Sequence, residues 1–240
     1  MNKILIVPDV HGKIFWKIAK EYVNYVDKIV FLGDYLDPYE KMDREAVISN
    51  FMDILTFKIS QPNDIILLMG NHDHHYLPQY KEWWGCRRDD VNFDKISKIF
   101  TSNSKYFQLS YKVDNYLFTH AGVLDGWLKV INGEKKIRCT VPLTYDKHIT
   151  IDNLNELIGS PLLDMISEER GGRDVYGSPI WADVYEHLYD WGERIPNIYQ
   201  VFGHTKSYPS IHEAYIDSNF AMLDSGNCWL LEDGEFKRID

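Results

Sequence analysis

At 240 residues and 45% hydrophobic side chains, the chain is long enough to bury a sizeable core as one large domain. Its 26 basic and 36 acidic residues, a net charge of −10, argue against a broad surface tracking a nucleic-acid backbone but leave room for a local cationic site. Three widely spaced cysteines (Cys86, Cys139 and Cys228) without a CxxC pair fit neither a disulfide framework nor a thiolate zinc knuckle, and point to a reducing, cytoplasmic setting.

The opening "MNKILIVPDVHG" holds an apolar run too short for a signal peptide or a membrane span, and reads as a first strand. Similar runs recur as "IVFL" at 29–32 and "IILLM" at 65–69. Between them lie segments of helical period. Phe15, Ile18, Ala19, Tyr22 and Val26 share one face, and Ile48, Phe51, Met52, Leu55 and Ile59 share another. Strands apolar on both faces, alternating with amphipathic helices, predict a buried parallel sheet.

Further on, "YFQLSYKV", Asp114-Asn115 and "YLFTH" predict a hairpin, since Asp and Asn tolerate the positive φ of a two-residue turn. "NIYQVFGH", "FAMLDSG" and "CWLLEDGEFKRI" read as further strands. The expectation is an α/β fold of two sheets packed face to face with helices outside, parallel at first and antiparallel later. Residues 1–240 read as a single domain, with 123–197 an irregular insertion closing over one end of the sheets.

Five of these strands end in polar residues of one chemical kind: "DVHG", "GDYLD", "GNHD", "THAG" and "FGHT". Carboxyl ends of strands line the ligand crevice of an open α/β sheet. The Asp, His and Asn side chains delivered there form a mixed oxygen and nitrogen set able to hold two divalent cations, with one carboxylate bridging them.

In this order the motifs resemble the calcineurin-like metallophosphoesterase superfamily, closest to the branch of phosphoprotein phosphatases, diadenosine tetraphosphatases and phage phosphatases. "SPIWADV" at 178–184 is similar to a phosphoprotein phosphatase segment, and Lys206 stands where other branches carry a second histidine. The resemblance implies a four-layer αββα sandwich of two mixed β-sheets. It implies that Asp9 and His11 bind one metal, Asp34 bridges, and Asn71, His120 and His204 bind the second, Asn71 also lying near the substrate phosphate. His72 would be the general acid, oriented by Asp37.

The implied activity is hydrolysis of a phosphate monoester or small pyrophosphate-linked nucleotide, or of a phosphopeptide, by direct attack of a metal-bridging hydroxide. Manganese is the expected activator, with iron, zinc, nickel, cobalt or magnesium as alternatives. Phosphodiester or nuclease chemistry on the same core, and a non-catalytic metal-binding scaffold, stand as alternatives. The phosphoprotein phosphatase pattern G-D-x-x-D-R-G supplies an arginine that Pro38 and Tyr39 cannot replace. Arg173, between glycines and an aspartate, is the first candidate substitute, with Arg87 and Arg88 behind it. Trp83 and Trp84 are candidates to stack on a nucleobase, and His74 and His75 are expected at the surface.

Overall fold

A computed structural model describes residues 3–62, 64–82, 86–143, 146–189, 193–206 and 214–239. In chain order the elements begin with β1 (Ile4–Val7), β2 (Lys28–Phe31), α1 (Arg44–Ser60), β3 (Ile65–Leu68), α2 (Asn71–His74), α3 (Phe93–Ser102) and β4 (Phe107–Gln108). They continue with β5 (Ser110–Val113), β6 (Tyr116–Thr119), α4 (Asp125–Ile131), α5 (Val184–Leu188), β7 (Tyr199–Phe202), β8 (Tyr215–Ile216), β9 (Phe220–Met222), β10 (Cys228–Glu232) and β11 (Glu235–Ile239). Short 3-10 turns intervene. The chain forms two compact units, one of residues 1–108 with 225–240 and one of residues 109–224.

The first unit holds a six-stranded mixed sheet in the order β11-β10-β1-β2-β3-β4. Strands β1 to β4 run parallel, and β10 joins β1 antiparallel before turning back into β11. That last turn is Asp233-Gly234, both at positive φ, as a tight hairpin requires. Every residue of β1 and β3 is buried, which explains why their sequences run apolar without alternation. Asp43 caps α1 by accepting from the Ala46 amide at 2.8 Å. The core is aromatic: Tyr35 stacks on Phe51 with centroids 5.2 Å apart, and Phe51 meets Phe100 at 4.9 Å.

The second unit holds a five-stranded mixed sheet in the order β5-β6-β7-β9-β8. The predicted hairpin is β5–β6, with Asp114 at φ 52°. Strands β6, β7 and β9 run parallel. Residues 123–197 carry α4, α5 and several 3-10 turns. Phe202 stacks on Phe220 at 5.3 Å, and His187 lies against Phe202 at 4.7 Å.

Two helical faces differ from expectation. Residues Phe15–Glu21 form a 3-10 helix that buries Trp16 and Ala19, three apart, and leaves Phe15 partly exposed. The tighter winding, three residues per turn, rotates the face away from the 3.6-residue estimate. In α1 the buried stripe runs through Val47, Phe51, Ile54 and Leu55, while Met52 and Ile59 are 42% and 51% exposed. Met52 and Ile59 lie one step outside the stripe that packing covers. Among the described residues no helix is long and apolar enough to cross a membrane.

Candidate active site

In the first unit β1, β2 and β3 are parallel neighbours, so their carboxyl ends share one edge of the sheet. Asp9 and His11 follow β1, Asp34 and Asp37 follow β2, and Asn71 and His72 open α2 directly after β3. All six are buried. One ligand atom from each of Asp9, His11 and Asp34 lies within 4.8 Å of the others. His11 Nδ1 sits 3.0 Å from the Leu36 carbonyl. A carbonyl only accepts, so Nδ1 carries the proton and Nε2 keeps its lone pair for a metal.

The backbone here is bent in a way only packing explains. His11, Asp34 and Asp37 sit at φ 44°, 52° and 59°, the left-handed region that non-glycine residues rarely adopt. The two loops are tied together, His11 N–H donating to Asp34 O at 2.7 Å and Gly12 N–H to Tyr35 O at 3.0 Å. Asp73 clamps the loop after β2 to the end of β3. Its carboxylate accepts from Asp34 N at 2.6 Å, Tyr35 N at 3.0 Å and Gly70 N at 2.9 Å, with no exposure to solvent. Position 70 must be glycine, because a Cβ there would fall 2.1 Å from Asp34 Oδ1.

His72 and Asp37 form the pair anticipated from the motifs. His72 Nδ1 lies 3.3 Å from Asp37 Oδ2, while Tyr76 Oη and the Asp89 amide donate to Asp37 Oδ1 at 2.7 and 3.1 Å. Burial lowers the His72 pKa, but the Asp34 charge and the bond to Asp37 outweigh it and push it up to about 9. With Nδ1–H engaged by Asp37, the protonated ring has Nε2–H to donate.

In the second unit His120 follows β6 and His204 follows β7, adjacent parallel strands. Their rings meet edge to face at 4.8 Å, with His120 Nε2 and His204 Nδ1 3.0 Å apart, an arrangement that needs a shared proton or cation between two nitrogens. His204 sits at φ 67°. The "SPIWADV" segment borders this pair, Pro179 O accepting from Ala121 N at 2.9 Å and the Trp181 ring lying 5.8 Å from His204. Carboxylate oxygens and imidazole nitrogens make up the donors of the two units, a chemistry suited to first-row divalent ions.

Other sequence-predicted residues fall elsewhere. His74 and His75 are buried, correcting the surface expectation. The short α2 turns them under Tyr80, whose ring is 4.8 Å from His74, and His75 Nδ1 lies 2.6 Å from Cys86 Sγ. Burial holds His74 neutral, its pKa down to about 3. Arg173 is exposed on a turn of the second unit. Arg88 is spent on structure, donating to Tyr80 O and Lys81 O and pairing with Asp90. Trp83 and Trp84 lie outside the described residues. Asp73 closes the "GNHD" motif, but its bonds to the loop after β2, like the Tyr76 bond to Asp37, join segments that no spacing brings together.

Parallel strands ending in oxygen and nitrogen donors, beside a carboxylate-held imidazole, define a metal-binding α/β protein of the phosphoesterase type. The chain belongs to the calcineurin-like phosphoesterase family, whose model matches residues 2–208. It is 27% identical over 139 residues to a catalytic chain of protein phosphatase 2A from Dictyostelium discoideum, covering 54% of this chain and 41% of that protein. It is 26% identical over 196 residues to a probable serine/threonine-protein phosphatase of Encephalitozoon cuniculi, covering 77% of this chain and 40% of that protein. The chain thus spans about two fifths of the length of the curated relatives it matches. A cold-active protein-tyrosine phosphatase from a psychrophilic Shewanella shares the fold, with a TM-score of 0.58 at 17% identity over 99% of this chain and 77% of that one.

Proposed function

We propose that the chain is a two-metal phosphoesterase acting on phosphate monoesters or small pyrophosphate-linked nucleotides. The observation that carries this reading is the buried donor group of Asp9, His11 and Asp34 standing beside the His72–Asp37 pair. Asp9, His11 and Asp34 would hold a first divalent ion. The family resemblance assigns Asp34 a shared role and Asn71, His120 and His204 to a second ion. Bound divalent ions supply Lewis acidity to phosphate oxygens and bring the pKa of bound water toward neutrality.

The side chains do the rest. His11, fixed by Leu36 O, presents Nε2 at 3.6 Å from Asp34 Oδ2, and the His72 amide donates to Asp34 Oδ1 at 3.1 Å. His72 donates its Nε2 proton to the leaving oxygen, and Asp37 keeps the ring charged and aimed. Manganese is the ion expected to activate, and the cytoplasm the expected compartment, in keeping with three free cysteines. The relatives named as protein phosphatases support a phosphopeptide as a further substrate class.

Titration calorimetry with manganese, paired with turnover of p-nitrophenyl phosphate, tests the proposal. Asp34→Asn should weaken manganese binding and abolish turnover together. Unchanged manganese binding in that variant would show that Asp34 is a turn residue and no ligand.

A further inference from the structure

The end of the first unit that carries Asp37 also carries a concentration of cations, which is unexpected in a chain of net charge −10. A cavity of ≈ 210 Å³ is lined by Lys41, Arg44, Arg87 and Arg88 together with Asp37, Glu40 and Asp89, over an apolar floor that includes Val47 and Ile96. Most of this charge is matched locally. Arg44 pairs with Asp89 at 3.3 Å and Arg88 with Asp90 at 2.6 Å.

Arg87 is held differently. Its Nη2 donates to the Asp37 carbonyl at 2.8 Å, and its guanidinium carbon stands 4.3 Å above the centroid of the Tyr39 ring. Both partners are neutral, so they fix the plane of the group without cancelling its charge. Among the described residues one N–H and one face are used, which leaves further donors of the guanidinium to form a fork on an anion. A second contact of Tyr39 sets the location: its ring meets the His11 ring edge-on at 4.8 Å. A continuous stack therefore runs from a candidate metal ligand through Tyr39 to a positioned guanidinium. The same carbonyl that holds Arg87 belongs to the residue that orients His72.

We propose that Arg87 binds the non-bridging oxygens of the substrate phosphate and sets the selectivity of this site for phosphate esters. Pro38 and Tyr39 offer no cation of their own, and Tyr39 contributes instead as the platform on which Arg87 lies. The inference rests on the phosphoesterase reading, and it assigns the arginine by a contact between segments 50 residues apart. Arg87 acts in binding and leaves the proton transfer to His72.

The test compares wild type, Arg87→Ala and Arg87→Lys, each loaded with manganese. KM and kcat are read with p-nitrophenyl phosphate, and the affinity for inorganic phosphate is read by calorimetry. Arg87→Ala should raise KM and weaken phosphate binding by about tenfold or more, the loss of a charge-assisted hydrogen-bonded pair, with kcat much less affected. Arg87→Lys should fall between, keeping the charge and losing the fork. Phosphate affinity and KM within twofold of wild type in Arg87→Ala would overturn the proposal. So would a fall in kcat alone, which would make the arginine only a strap on Asp37. Wild-type protein that binds phosphate but turns nothing over would sink the hydrolase reading while the binding comparison still decides on Arg87; wild type that binds no phosphate overturns both.

Discussion

Asp73→Asn is expected to destabilise the protein by about 2–4 kcal/mol, a cost that follows from counting donors and acceptors around one buried carboxylate. Oδ2 accepts from the Asp34 and Gly70 amides, and Oδ1 accepts from the Tyr35 amide. An asparagine has a single acceptor oxygen. Placed where Oδ2 stands, it keeps two bonds but turns its NH2 toward the Tyr35 N–H, leaving buried donors facing each other at roughly 1–3 kcal/mol. The two retained bonds also lose their ionic character, about 1 kcal/mol each. Relief of repulsion from Asp34 offsets part of this. Burial and the Asp34 charge push the Asp73 carboxyl up, and the three N–H donors oppose them. The three N–H donors converge on the ionised form, which accepts all of them and carries no proton to turn toward them. Urea unfolding followed by circular dichroism measures the loss. Manganese calorimetry should show affinity about 10–100-fold weaker, since Asp34 is positioned by this clamp. A variant within about 0.5 kcal/mol of wild type would refute the reasoning, for it would mean that the carboxyl is already protonated and neutral in the folded protein.

His72→Ala should lower kcat for p-nitrophenyl phosphate by about 10²–10⁴-fold with manganese stoichiometry unchanged; turnover equal to wild type would remove His72 from the acid role. Burial holds His187 neutral, its pKa down to about 4 from the usual 6.5, despite the Ala121 carbonyl at 3.3 Å. The unfolded chain therefore binds more protons than the folded one between these values. Stability from this group is complete above about pH 6.5 and is lost as pH falls toward 4, about 3 kcal/mol in all. Denaturation of His187→Phe at about pH 7.5 and about pH 4.5 should show a flatter acid limb than wild type, and an equally steep one would assign the limb to other groups.

Much of the first unit could be read from the chain because its determinants are local. Short all-apolar runs became β1, β2 and β3, and the polar residues closing each run reached a common edge because parallel strands leave no other arrangement. In the second unit Asp114 took the positive φ that its turn required. Residue type was enough to nominate Asp9, His11, Asp34, Asn71 and His72, and family resemblance supplied their roles. The 3-10 winding that buries Trp16 escaped a 3.6-residue estimate, since the choice between the two helices turns on what the segment packs against.

Other features depend on segments far apart in the chain, and no pattern along it encodes them. Asp73 finds its donors in the loop after β2, His75 is drawn inward against Cys86, and Arg87 reaches Tyr39 and Asp37 across half a hundred residues. The left-handed backbone at His11, Asp34, Asp37 and His204 belongs to the same class. Such conformations are unfavourable in isolation and persist only because contacts formed on folding hold them. The composition of the donor set is therefore a property of the sequence, whereas its geometry, its protonation and the placement of its cation are properties of the packed chain.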